Sequence, residues 1–286
     1  MERRPLRYLG LWPVGLSPRR SIMLKTFLPL ILCACLGQPP CTTGDRLATI
    51  HIYGDSIARG YGLADFDNTS PLNSIWGIGN LMLPDGSGYV FRYGVNEPIQ
   101  DNSIWQAGQA GVIEPGDVVV FENAGPHFDN TEYYRMWLKL IRFQATHRGN
   151  DVRLLLTTTP DYQPKAPGFY NSNYDEIVDS GLSINDVVRQ EAASADLLAW
   201  DAEMDRAMGI MAEYGATPML ADNVHPNAFG NLALAGSVLR KLEIDPANLD
   251  SVKAEFLDYR SQFSALFGFE LTEVQTGEIV DRLAGN

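Results

Sequence analysis

The chain has 286 residues, 45% hydrophobic, 20% charged and 10% aromatic, an ordinary globular composition that excludes disorder, collagen and disulfide-dense scaffolds. Its net charge of −13 hides an asymmetry: residues 1–25 carry six basic side chains and one acid, leaving 16 basic and 34 acidic side chains in the other 261, a net of −18. A body this acidic repels phosphate backbones, which argues against nucleic acid as a partner.

In chain order, the first feature is an address. Lys25 precedes an apolar run from Phe27 to Leu36. That run is too short for a permanent membrane span, which needs about 20 residues, and it fits the apolar region of an export signal, here residues 1–37. Leu32-Cys33-Ala34-Cys35 resembles a bacterial lipobox, in which Cys35 would carry lipid after cleavage. Cys33 is unusual at its position, so plain secretion is the alternative, and a single anchor helix is a third reading. Met23 opens a compact signal by itself, which would leave residues 1–22 as an untranslated extension. All three cysteines (Cys33, Cys35 and Cys41) lie in or near this segment. The body therefore has no disulfide, no cysteine nucleophile and no thiolate metal site.

After a polar linker at residues 38–46, Leu47-Ala-Thr-Ile-His-Ile-Tyr53 reads as a buried strand running directly into Gly54-Asp55-Ser56. Residues 62–93 are rich in Gly, Pro, Asn, Trp and Tyr with weak periodicity, and read as a long loop insertion. The turn Glu114-Pro115-Gly116 announces a second buried strand, Asp117–Phe121. A helix is predicted over Asn130–Arg148, and a third strand over Val152–Thr157. Ser183-Ile-Asn-Asp is a good N-cap signal for a helix over Ser183–Ser194. A weaker fourth strand, Ala195–Trp200, is closed by Asp201, and helices follow over Ala202–Tyr214 and Ala228–Leu242. Residues 246–286 look like two acidic helices, read as a packing appendage to a domain spanning 47–245. Continuous apolar strands alternating with helices predict a doubly wound, mainly parallel α/β/α sandwich.

A serine hydrolase needs a nucleophile, a base, an acid that orients the base, and donors for the oxyanion. There are only four histidines: His51 inside the first strand, His127 after the second, His147 at a helix end, and His225. The last lies in Asp222-Asn-Val-His225-Pro226, just before a helix, and Asp222 and His225 can face the same way in one turn of backbone. Ser56 sits where a strand gives way to a helix start. The carboxyl end of such a strand is where ligands bind in an open α/β sheet, and a helix start helps to stabilise an anion.

Gly54-Asp55-Ser56 after an apolar strand, paired with Asp222-x-x-His225-Pro226 before a C-terminal helix, resembles the first and last blocks of the SGNH (GDSL-type) hydrolase family. The resemblance runs from about Ala48 to Leu242. It implies a flavodoxin-like fold and ester hydrolysis without a metal or cofactor, with Ser56 as nucleophile, His225 as general base and Asp222 as its orienting acid. The oxyanion hole it implies comprises the Ser56 amide, the Asn123 side chain and a backbone amide near Asp101. Two blocks depart from the family pattern. Where the family has Gly-x-Asn-Asp, this chain has Phe121-Glu122-Asn123-Ala124, and Asp101 stands where a glycine is expected, with Gly94 as another register.

Of the remaining candidates, His127 and Arg59 are read as possible substrate contacts. Asp201 is read as a structural cap, and Glu122 as paired or exposed. Trp76, Tyr89, Tyr93 and Trp105 would pack, or line a cleft. The expected substrate is an ester, with short acyl groups on carbohydrate favoured; the expected location is the bacterial envelope or periplasm. No metal is expected, because Asp222 and His225 have no third ligand at suitable spacing. The competing readings are a catalytically weak or inactive envelope protein that binds a glycan or partner, and an acyltransferase using the same residues.

Overall fold

The computed structural model describes residues 46–54, 56–60, 70–94, 112–122, 131–146, 152–159, 181–194, 196–217 and 225–285, with backbone alone for Ser56, Arg59 and Thr146. The chain divides into two units, Met1–Thr43 and Gly44–Asn286. The first, with the apolar run Phe27–Leu36 and all three cysteines, lies outside the described residues.

Five strands form one sheet: β1 (Ala48–Tyr53), β2 (Tyr89–Tyr93), β3 (Val118–Phe121), β4 (Arg153–Thr157) and β5 (Leu197–Leu198). The order is β2-β1-β3-β4-β5 and every pairing is parallel. This 2-1-3-4-5 arrangement is the flavodoxin-like one, whose switch point lies between β1 and β3. The Val-Val-Val-Phe run of β3 is buried throughout, as expected for a central strand covered on both faces.

Each face carries its own core. Ile50, Ile52, Val118, Val120 and Leu155 point to one side. There they meet α1 (Ser56–Arg59), α2 (Ile75–Met82), α5 (Trp200–Ala212), α6 (Ala228–Lys241) and the C-terminal helices. Tyr53, Val119, Phe121, Leu154 and Leu156 point to the other, against α3 (Thr131–Thr146) and α4 (Ile184–Glu191). Ser183 caps α4 in a capping box with Asp186; the Asp186 amide donates to the Ser183 hydroxyl, and the Ser183 amide to the Asp186 carboxylate.

Three expectations are corrected. The segment 62–93 is not one loop: residues 70–94 contain a 3-10 turn at Pro71–Asn73, helix α2 and the edge strand β2. The glycines that suggested a loop are required by packing. A Cβ at Gly77 would lie 2.3 Å from the Pro71 carbonyl oxygen, and one at Gly79 would lie 2.7 Å from the Phe91 ring. The fourth strand shrinks to Leu197–Leu198, because Trp200 and Asp201 already belong to α5. The tail forms three helices where two were expected: α7 (Leu249–Asp258), α8 (Arg260–Phe267) and α9 (Glu273–Ala284). Gly268, left-handed at φ 71°, ends α8, and Thr272 starts α9 with a capping box.

Candidate functional site

Tyr53 and Phe121 are register partners at the carboxyl ends of β1 and β3. The chain leaves both strands at the switch point, as Gly54-Asp55-Ser56 on one side and Glu122-Asn123 on the other. The Glu122 amide donates to the Tyr53 carbonyl at 2.7 Å, so the pairing extends one residue beyond the strands. Helix α1 begins at Ser56, three residues after the last residue of β1.

The Gly54 turn is crowded. A Cβ on Gly54 would lie 2.2 Å from Glu122 Oε2, 2.6 Å from Glu122 Cβ and 2.7 Å from Ala58 Cβ. Glu122 is only 1% exposed, and the Ala58 amide donates to its Oε2 at 3.1 Å. The first amides of a helix have no intrahelical partner, and a carboxylate at a helix start is favourable. Glu122 therefore caps α1 from a different strand. Of its two expected states it is paired, and buried.

His225 is buried, 6% exposed, in the turn that enters α6. Asn227 holds that turn. Its Oδ1 accepts from the Phe229 and Gly230 amides at 3.0 and 3.2 Å, and its Nδ2 donates to the Thr217 carbonyl at 2.7 Å. The signal was an asparagine one residue before a helix. Ala228 and Phe229 of α6 lie in the same core as Ile57 and Ala58 of α1, so the helices that follow Ser56 and His225 pack into one body.

The side chains of Ser56 and Arg59, and all of Asp222, Asn123, Asp101, His127, Trp105 and His147, lie outside the described residues. Gly94, the other register for the second block, is described. Its amide donates to the Ile52 carbonyl at 2.7 Å, which commits it to the sheet and removes it as an oxyanion donor.

Asp201 does not cap its helix; it lies within the first turn of α5, behind Ala199. The Thr158 hydroxyl donates to it at 2.5 Å and it pairs with Arg189, a tie between the residue after β4, α4 and α5. Trp76, Tyr89 and Tyr93 are partly buried and pack against the core. His51 belongs to the opposite end of the sheet, 3.1 Å from Asp117. Among the described residues no three metal-binding side chains cluster, and no helix is long and apolar enough to cross a membrane.

A doubly wound 2-1-3-4-5 sheet, with Gly54 leaving β1 and His225-Pro226 entering α6, is the flavodoxin-like arrangement that the resemblance implied. The chain is similar to a member of the lipolytic G-D-S-L family from Veillonella parvula, at 17% identity over 68% of this chain and 97% of that one, with a TM-score of 0.44. It is also similar to a protein from Parabacteroides merdae described as a GDSL-like lipase, at 13% identity over 69% of this chain and 96% of that one, with a TM-score of 0.46. The salicylyl-acyltransferase SsfX3 of a tetracycline biosynthetic pathway is similar at 17% identity over 68% of this chain and 54% of that one, with a TM-score of 0.44. These are likenesses of fold. No protein-family model matches the sequence, and no curated protein does.

Proposed function

We propose that this chain is an exported serine esterase. Ser56 attacks the ester carbonyl while His225, oriented by Asp222, takes the hydroxyl proton. His225 returns that proton to the departing alcohol, and water then releases the acyl group from Ser56. The Ser56 amide, the Asn123 side chain and an amide near Asp101 receive the oxyanion. The substrate class is a short acyl ester on carbohydrate, and Cys35 carries a lipid anchor in the envelope.

The observation that carries this reading is the switch point. The register Tyr53 to Phe121 brings Gly54 and Glu122, which follow β1 and β3, to the same carboxyl end of the sheet, where open α/β proteins bind ligands. Buried His225 then enters on a helix that shares its core with α1.

The test is hydrolysis of short-chain aryl and sugar acetates by wild type, Ser56→Ala and His225→Ala, with fluorophosphonate labelling and peptide mapping. Loss of the nucleophile or base should lower kcat by roughly four or more orders of magnitude. Equal rates in wild type and Ser56→Ala would sink the proposal. Cell fractionation of wild type and Cys35→Ala, followed by the same probe, reads location; the anchor is wrong if both partition alike.

A further inference from the structure

We propose that Glu122 is the positioning residue of the nucleophile turn, a carboxylate clamp at the position that the Gly-x-Asn-Asp pattern leaves open. The inference rests on the esterase reading and concerns the same site. Glu122 touches the turn at both ends. Its side chain fills the space where a Gly54 Cβ would be, and its Oε2 accepts from the Ala58 amide at 3.1 Å. Its own amide donates to Tyr53 at 2.7 Å, so the clamp is anchored to the strand from which the turn springs. Ser56 lies between the two clamped points, in a four-residue helix too short to fix its own direction.

A buried carboxylate is costly unless it is hydrogen-bonded, and here the bond it makes consumes a first-turn amide of α1. With the Ala58 amide engaged, the helix start is held in one orientation, which sets the Ser56 backbone before substrate arrives. Pre-set donors of this kind act in the transition state and do not improve substrate binding. Gly54 is the necessary counterpart: any side chain there displaces the carboxylate. The same strand end leads directly into Asn123, so one residue couples the nucleophile turn to the next candidate oxyanion donor.

The experiment compares wild type, Glu122→Ala and Glu122→Gln. Three assays are read: steady-state kinetics (kcat and KM) on an aryl acetate, the rate of fluorophosphonate labelling at Ser56, and hydrogen exchange of the Ala58 amide. Glu122→Gln keeps the shape and an acceptor oxygen and serves as the variant that folds. Glu122→Ala should lose about tenfold to a hundredfold in kcat and in labelling rate, as expected for a misaligned nucleophile, with KM changed by less than about threefold. Its Ala58 amide should exchange faster, and Glu122→Gln should recover most of all three. Wild-type labelling with an unslowed Glu122→Ala overturns the clamp and leaves the esterase reading intact. A wild type that never labels at Ser56 overturns both.

Discussion

Asp117, just before β3, shows at the residue scale how one side chain organises an end of the sheet. It is fully buried. Its carboxylate accepts from the Arg46 guanidinium at 2.9 and 3.0 Å, from the Thr49 amide at 2.8 Å, from the Glu114 amide at 2.9 Å, and pairs with His51 at 3.1 Å. Burial pushes its pKa up, but the Thr49 and Glu114 amides, Arg46 and His51 outweigh burial and hold it below the usual carboxylate range. Burial pushes His51 down by more than Asp117 raises it, so His51 is kept neutral near pH 7. Both shifts have the same sign for stability: each contribution is complete above the unfolded-state pKa and is lost as pH falls through the folded one. Acid should therefore destabilise the protein in two stages, from about pH 6.5 through His51 and from about pH 4 through Asp117. Asp117→Asn should cost about 1–3 kcal/mol at neutral pH, because the amide offers one acceptor oxygen where the carboxylate offers two and leaves a buried donor unpaired. Urea denaturation from pH 3 to 8 checks this; a gap between wild type and variant that fails to shrink below pH 4 would refute it. The cluster joins residues up to 71 apart in sequence, which is why it was not legible, whereas Gly54-Asp55-Ser56 and His225-Pro226 were read directly because each is a local run. Glu122 escaped for the same reason as Asp117, since its partner Ala58 is reached through space, whereas Asn227 carries a local cap signal and only its bond to Thr217 is remote.

Among the elements, those with a clear period were placed well. The apolar runs of β1, β3 and β4 and the helices α3 to α6 fall within two residues of the expected bounds at most ends, because continuous burial and helical spacing leave a direct trace in sequence. The edge strand β2 and helix α2 did not. Strand β2 has only Phe91 buried, so it lacks the solid apolar run of its neighbours. In α2, Gly77 and Gly79 disguise a helix that needs them for close approach to Pro71 and Phe91. That explanation yields a prediction with opposite signs. Gly77→Ala should destabilise by about 1–3 kcal/mol, since its Cβ would meet the backbone oxygen of Pro71 and cannot be accommodated by a side-chain rotation. Gly209→Ala, in α5 with nothing within 4 Å of its Cβ, should stabilise by about 0.4–1 kcal/mol through the unfolded chain. Thermal unfolding of the two variants decides it, and stabilisation by both would mean that α2 does not pack against the Pro71 turn as described.

Across the whole molecule, the C-terminal tail belongs to the core that carries the site. Val252, Phe256, Ile279, Val280 and Leu283 are fully buried in the same cluster as Ile50 and Ile52 of the sheet. The Phe229 ring, four residues after His225, packs tilted against Phe256 and Phe263, with centroids 4.7 and 5.3 Å away. Polar ties reinforce the join. The Ala247 amide donates to Met82 at 2.8 Å, and the Arg206 guanidinium donates to the carbonyls of Arg282 and Leu283 at 2.8 and 3.1 Å, closing the carboxyl end of α9. Its acidic composition read as an appendage because the buried positions, single or in pairs, recur every three or four residues among polar and charged ones. Burying each of those five side chains is worth roughly 1.5–3 kcal/mol, so their joint loss rivals the 5–15 kcal/mol by which a typical domain is stable. A chain ending at Ile244 should therefore fail to fold, and lose any labelling at Ser56 with it, whereas Phe256→Ala should cost about 3–5 kcal/mol and remain folded at low temperature. Circular dichroism and gel filtration check both; a monomeric, cooperatively melting truncation would show that the sheet and its two helical layers suffice without the tail.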